Sequence, residues 1–329
     1  MRKLRVLLVG CGRIAGNYDR GRQPSEFPRT HAASYLRHGG FSLVGCVDPD
    51  PEARRAFMRD WGVHADFAGI HDAAESGLAF DVVSICSPTG SHAADVRASL
   101  ALRPLVVFCE KPVTPTVAET SSLVEECDRA GVHLVVNHTR RWDPDVQELA
   151  TSIAERRFGP LRLVYGAYCR GVINNGSHMI DLLRQLLGEV SLISAGEPVW
   201  DGVEGDPSVP LVLAAPNGLR VTIGCGFGPE HAIFELTMVF AKRSVSMEQG
   251  GLCWTDRLVE ESRNFPGVRV LGQGRSRAGR YVEAPLRAVH SLYNLITGGI
   301  PTPSNGASAL LSQKVCEEAS LNAATNRHG

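Results

Sequence analysis

The apolar run Leu4–Val9 passes without a break into Gly10-Cys11-Gly12-Arg13-Ile14-Ala15-Gly16, three glycines at the GxGxxG spacing. After a buried strand this spacing has a physical use. Gly10 permits the tight turn, Gly12 lets a pyrophosphate approach the backbone, and Gly16 allows close packing. Backbone N–H groups at the start of the next helix, around Arg13 and Ile14, would face the phosphates. The acidic partner is Asp48 in VGCVDPD. Its carboxylate would hydrogen-bond a ribose 2′-hydroxyl and repel a 2′-phosphate, which favours NAD over NADP. Arg54 and Arg55 nearby keep NADP open, and the plainer reading of Asp48 is a turn residue ahead of Pro49. Asp48 lies 32 residues after Gly16, where ~20 is usual. Treating residues 17–30 as a 14-residue insertion restores the spacing. The insertion carries Arg20, Arg22 and Arg29. It reads as a solvated loop, or as a flap whose guanidinium forks meet a phosphorylated or nucleotide-linked substrate.

A phosphate cradle of this kind needs a parallel sheet behind it, and the first ~140 residues supply the pattern. Short apolar runs occupy Leu4–Val9, Phe41–Val47, Asp81–Cys86, Leu105–Cys109 and His133–Asn137. They show little alternation, as expected of strands covered on both faces. Between them His31–His38, Pro51–Trp61, Ser91–Leu100 and Val117–Ala130 have helical character. Thr116 stands at the capping-box spacing from Glu119. Strand–helix alternation implies a doubly wound parallel sheet with right-handed crossovers.

From about residue 160 the rhythm changes. Leu161–Cys169 reads as a strand and Ser177–Leu187 as an amphipathic helix stopped by Gly188. Strand-like stretches follow at Val209–Ala214, Leu219–Cys225, Ile233–Phe240 and Ser244–Glu248, with a hairpin signal at Asn217-Gly218. Residues 256–285, rich in Gly and Arg, read as a long surface excursion. Ala288–Leu295 and Ala307–Ala323 read as closing helices. The expected organisation is a Rossmann dinucleotide-binding domain over 1–140. An α+β domain over 141–329 follows it, with a mixed or antiparallel sheet and helices on one side, for substrate binding and oligomerisation.

Composition narrows the function classes. The hydrophobic fraction is 43%, the charged fraction 21% and the net charge −1. There is no basic field for nucleic acid or an anionic membrane and no window resembling a membrane span. Nine cysteines without a CxxC pair read as buried thiols of a reducing compartment, the cytoplasm. The histidines are dispersed, with no HExxH or Cys-His cluster, so no metal site is expected.

Three further segments fall into register: SICSPTGSHAADV (84–96), CEKPVT (109–114) and NNGSHMIDLLRQLLG (174–188). With GCGRIAG and the VDP at the second strand end, they resemble the Gfo/Idh/MocA family of nicotinamide-dependent oxidoreductases. The resemblance spans most of residues 1–190. It implies that Lys111, in the glutamate-lysine-proline motif, lies beside the nicotinamide and the reacting carbon, where it can donate a hydrogen bond to the substrate oxygen. Glu110, Ser87, Pro88, Thr89 and His92 fall on the cofactor side. His178 would be the acid–base group at the substrate hydroxyl. Asp181, one turn on, either orients substrate or histidine or is a first-turn carboxylate favoured by the helix dipole. Arg141 and Arg170 are substrate candidates, and Arg140 or Arg141 would touch substrate or cofactor or else brace the two domains. Tyr168 is a further substrate candidate.

One departure stands out. Polyol and sugar dehydrogenases of the family often carry an aspartate four residues before the histidine; here Asn174 stands there, followed by Asn175. An amide can bind a substrate but cannot serve as a base. The resemblance thus implies an NAD(P)-dependent enzyme interconverting a secondary alcohol and a ketone on a sugar, a cyclitol or a nucleotide-linked sugar, working as a homodimer or homotetramer. Two rivals remain open: a glycoside hydrolase with tightly bound NAD, and a non-catalytic dinucleotide-binding sensor.

Overall fold

The computed structural model describes residues 2–23 and 25–325. Contacts divide the chain into two units, Met1–Trp142 with Val282–Leu311, and Asp143–Tyr281 with Ser312–Gly329. Val282–Leu311, expected in the second domain, pack with the first unit. The reason lies in α8 (Ala284–Gly298), which buries Ala288, Val289 and Leu292. Its Tyr293 ring stacks 4.9 Å from His38, at the end of α1 (His31–His38).

In the first unit the unalternating runs become one parallel sheet. Its strands are β1 (Leu4–Val9), β2 (Phe41–Val47), β3 (Ala65–Phe67), β4 (Val82–Ile85), β5 (Val106–Cys109) and β6 (His133–Val136), in the order β3-β2-β1-β4-β5-β6. Residues of β4 and β5 are buried throughout. Covered faces explain both the missing alternation and the parallel pairing. The order reverses between β1 and β4, and ligands bind outside the carboxyl ends of strands at such a point. Helices α2 (Pro51–Trp61), α3 (Ile70–Glu75), α4 (Thr89–Leu100) and α5 (Val117–Ala130) make the crossovers. Thr116 caps α5 by accepting from Glu119 N.

The second unit has a mixed sheet, ordered β14-β13-β12-β11-β7-β10-β9-β8 with β15 on β13. Its members are β7 (Leu161–Tyr168), β8 (Ser191–Ala195), β9 (Leu211–Ala214), β10 (Arg220–Cys225), β11 (Phe234–Phe240), β12 (Arg243–Glu248), β13 (Cys253–Glu261), β14 (Arg269–Leu271) and β15 (Arg275–Ala278). One face packs on helices α6 (Pro144–Ala154), α7 (Ser177–Leu187) and α9 (Gly306–Thr325) through residues such as Leu149, Val164, Ile180, Ile223 and Cys316. The other exposes Leu163, Tyr165, Ile193 and Leu258. Asn217 and Gly218 take positive φ between β9 and β10, closing the expected hairpin. The surface excursion expected over 256–285 is a correction: β13 runs to Glu261, and β14 and β15 pair with it. These strands carry few buried side chains, so they held no periodic signal to read.

Candidate active site

The glycine loop leaves β1 at the switch point. Gly10 has φ +86, and a Cβ there would lie 2.7 Å from Ser87 N and 2.8 Å from Cys86 O, so the turn after β4 presses against the loop. Gly12 has open space around it, nothing within 4 Å of an added Cβ. Gly16 faces Phe57 and Trp61 of α2, where a Cβ would collide with the indole. Gly10 and Gly16 are thus required by close contacts, while Gly12 leaves its backbone open. Among the described residues the N–H groups of Gly12, Arg13 and Ile14 donate to no atom of the chain. A row of unspent donors at an open backbone is what a pyrophosphate requires.

The insertion interrupts the helix that normally follows. One helical turn forms, with Asn17 N donating to Gly12 O and Tyr18 N to Arg13 O. The ladder then resumes across the loop: His31 N donates to Ile14 O at 3.2 Å and Ala32 N to Ala15 O at 2.9 Å. Asp19, 9% exposed, closes the loop by accepting from Arg29 N, Thr30 N and Thr30 Oγ1. Arg20 pairs with Asp60, and Arg22 with Asp19 and Glu26. The insertion is therefore a folded loop, and two of its three arginines are paired within the unit.

Asp48 accepts from Cys11 N at 2.8 Å through Oδ2 and from Asp50 N at 2.9 Å through Oδ1. It thereby fixes the glycine loop to the end of β2, and each oxygen keeps a second lone pair for a ribose hydroxyl. Arg54 is committed to Asp66 at 2.7 Å and to Asp48 O at 2.6 Å. Arg55 lines an adjoining cleft of about 430 Å³ with Cys11, Asn17, Arg20 and Arg59.

The remaining cofactor-side candidates surround the end of β5. Glu110, Lys111 and Pro112 follow β5 directly, joined by a cis Lys111–Pro112 bond. His92 is buried in α4, its ring nitrogens 2.9 Å from Pro112 O and 2.8 Å from Ser87 O, so it ties the two turns together. Pro88 precedes Thr89, the first residue of α4. Ser87 Oγ donates to Asp95, whose carboxyl is pushed up by burial against the opposing pull of Ser87 and His92. Glu110 Oε1 is held by His31 Nε2 at 2.8 Å and Asn137 Nδ2 at 2.6 Å, an inward-facing arrangement. Arg141 donates to Pro303 O at 2.9 Å, a contact within the first unit. A hydrogen bond with Cys46 and burial push the Cys11 thiol up, and burial does the same for Cys86 and Cys109.

In the second unit, a π-helical turn Gly171–Gly176 leads into α7. His178 lies half-buried in the first turn of α7. Arg170 is exposed with φ 68. The Asn174 and Asn175 amide nitrogens turn back to Arg170 O at 3.0 Å and Cys169 O at 2.9 Å. Asp181, 1% exposed, accepts from Ser312 Oγ at 3.0 Å. Tyr168 is fully buried and exchanges hydrogen bonds with Val209, so it is part of the core. No sequence motif marks His31, Asn137, Asp201, Asp206 or Ser208. His31 alone left a trace, a polar residue opening the buried face of α1 with Ala32, Ser34 and Tyr35.

The two-unit architecture and this cradle define a dinucleotide-binding oxidoreductase fold. A model of the oxidoreductase family with an NAD-binding Rossmann fold, Gfo/Idh/MocA, matches residues 4–138. Inositol 2-dehydrogenase 4 of Saccharopolyspora erythraea is 30% identical over 251 residues, 69% of each chain. The D-apiose dehydrogenase of Paraburkholderia graminis is 24% identical over 73% of this chain; the match spans 65% of that relative's length. The WlbA dehydrogenase of Bordetella pertussis, solved with NADH and UDP-GlcNAcA, superposes with a TM-score of 0.76 at 21% identity, covering 99% of this chain and 98% of that one. The chain belongs to the Gfo/Idh/MocA family. Its cofactor is the nicotinamide dinucleotide of that family, and the open loop at Gly12 with its unspent N–H groups fits it.

Proposed function

We propose that the protein interconverts a secondary alcohol and a ketone on a sugar or cyclitol, with NAD as hydride carrier. The observation that carries this reading is the pyrophosphate cradle at the β1/β4 switch point, with the Glu110-Lys111-Pro112 turn at the end of the neighbouring β5. Relatives named as inositol and D-apiose dehydrogenases support the substrate class. Bound at the glycine loop, NAD would supply the hydride acceptor for the carbinol carbon. Lys111 donates a hydrogen bond to the oxygen on that carbon and stabilises its negative charge as the proton leaves. His178 accepts that hydroxyl proton and returns it in the reverse direction. Asn174, Asn175 and Arg170 supply polar contacts to the remaining hydroxyls. Asp48 selects NAD, since its carboxylate repels a 2′-phosphate.

The exposed apolar face of the second sheet, with Leu163, Tyr165 and Ile193, supports a homo-oligomer. Nine free thiols support a cytoplasmic setting. Among the described residues no helix is long and apolar enough to cross a membrane. The test is a screen for reduced-cofactor absorbance with NAD and a panel of cyclitols, free sugars and nucleotide-linked sugars. Turnover of a cyclitol or sugar is expected. Cofactor binding without turnover anywhere in the panel would overturn the reading.

A further inference from the structure

Five consecutive N–H groups at the head of the helical segment carrying His178 are satisfied by one distant loop. Arg170 N donates to Asp201 Oδ2. Gly171 N donates to Ser208 Oγ at 2.9 Å and Val172 N to Pro207 O at 2.9 Å. Ile173 N and Asn174 N donate to the two oxygens of Asp206 at 2.9 and 2.8 Å. A helix start leaves about four such donors without an intrahelical partner, and a single local side chain usually takes one of them. Here every donor in the row is met by side chains and backbone of 201–208.

The match is shaped from both sides. Gly171 has φ +85, and a Cβ there would meet the Asp206 carboxylate and lie 2.8 Å from its carbonyl oxygen, so only glycine fits. Ser208 is fully buried, and its hydroxyl donates to Asp201 Oδ2 at 2.8 Å while accepting from Gly171 N. A carboxylate bonded through both oxygens to adjacent N–H groups fixes two peptide planes at once.

We infer that Asp206 is a positioning residue for the reaction: its carboxylate sets the backbone of Ile173 and Asn174, and with it the turn that leads into His178. The inference rests on the acid–base reading of His178. It also gives Asn174 a physical context. Its side chain is a neutral amide, and a carboxylate reaches the backbone of that same residue from Asp206.

The test is steady-state kinetics on the whole chain, using the panel compound with the highest turnover. It is run for Asp206→Ala, Asp206→Asn, Gly171→Ala and His178→Gln, with hydrogen–deuterium exchange of the 170–178 amides beside it. Asp206→Ala should lower kcat by about 10- to 100-fold, the scale of a small misplacement of a reacting group. The KM for NAD should stay within about twofold, and exchange at 173 and 174 should accelerate. Asp206→Asn, which keeps one carbonyl oxygen as acceptor, should recover part of the loss. Gly171→Ala, pushing against Asp206, should reproduce it, and these two variants carry the test if Asp206→Ala does not fold. Unchanged kcat in Asp206→Ala or Gly171→Ala, with His178→Gln inactive, would overturn this inference alone. Full activity in His178→Gln would overturn the acid–base reading instead.

Discussion

His31 Nε2 stands 2.8 Å from Glu110 Oε1, with the two side chains 3% and 15% exposed. This pair links the residue at which the interrupted helix resumes to the residue preceding Lys111. Burial raises the Glu110 carboxyl, but hydrogen bonds from His31 and Asn137 and the charges of His31 and Lys111 outweigh it and hold it below its ordinary value. Ser84 Oγ lies 3.3 Å from His31 Nδ1 and 2.7 Å from the Tyr35 hydroxyl, extending the network into the core. Replacing His31 with Phe keeps a ring of similar size and removes both nitrogens. Breaking one side of a buried pair costs about 3–5 kcal/mol. The melting temperature should therefore fall by roughly 5–15 °C, and kcat should fall with it through Lys111. Calorimetry checks the first and kinetics the second.

Acid should destabilise the protein through two carboxylates. Glu110 is one. The other is Asp145, whose burial is outweighed by Arg280 and Arg277, so that its carboxyl also lies below its ordinary value. A carboxylate depressed in the folded state contributes stability above its unfolded pKa and loses it as pH falls through the folded value. Melting temperatures should thus be steady from neutral pH down to about 4.5 and then drop. Asp145→Asn should melt lower at neutral pH and show a shallower drop, which differential scanning between pH 7 and 3 would reveal.

Gly10 and Gly12 should fail in different ways when changed to alanine. At Gly10 the positive φ and the contact with Cys86 and Ser87 strain the fold itself, so both stability and NAD affinity should fall. At Gly12 the added methyl enters open space. The Gly12→Ala protein should melt like the parent and bind NAD at least about tenfold more weakly, because the methyl occupies the pyrophosphate's approach. Equal melting temperatures with equal affinities would remove Gly12 from the cradle.

Asp48 should set the choice of cofactor. Asp48→Ser keeps a short acceptor near Cys11 N and removes the charge. A hydrogen bond to a charged group contributes about 1.5–3 kcal/mol, so NAD affinity should fall roughly 10- to 100-fold. NADP affinity should improve, with Arg55 in the adjoining cleft as its partner. Titration of both dinucleotides against parent and variant measures this; a parent that prefers NADP would contradict it.

Legibility followed the range of the interactions. Helices α1, α2 and α5 carry local stop signals, glycines at 39, 62 and 131 with φ of +75, +67 and +68, and their bounds could be read from neighbouring residues alone. The 17–30 insertion was readable by spacing, and the His31–Ile14 and Ala32–Ala15 bonds show the helix closing over it. What stayed hidden depends on distance along the chain. Asp201, Asp206 and Ser208 act on backbone 31 to 37 residues earlier, and no periodicity records such a contact. His31 and Glu110 are 79 residues apart. Strands β14 and β15 are held by backbone pairing with few buried side chains, which leaves no pattern in residue type.

Lys111 carries the central claim most directly, because its proposed role is made at the reacting oxygen and nowhere else in the cofactor cradle. The measurement is reduced-cofactor absorbance with the best panel substrate, for the parent and Lys111→Ala, with NAD affinity taken in parallel. The account predicts a loss of kcat of at least about 100-fold with NAD affinity unchanged. A Lys111→Ala protein that turns over at the parent rate would contradict it.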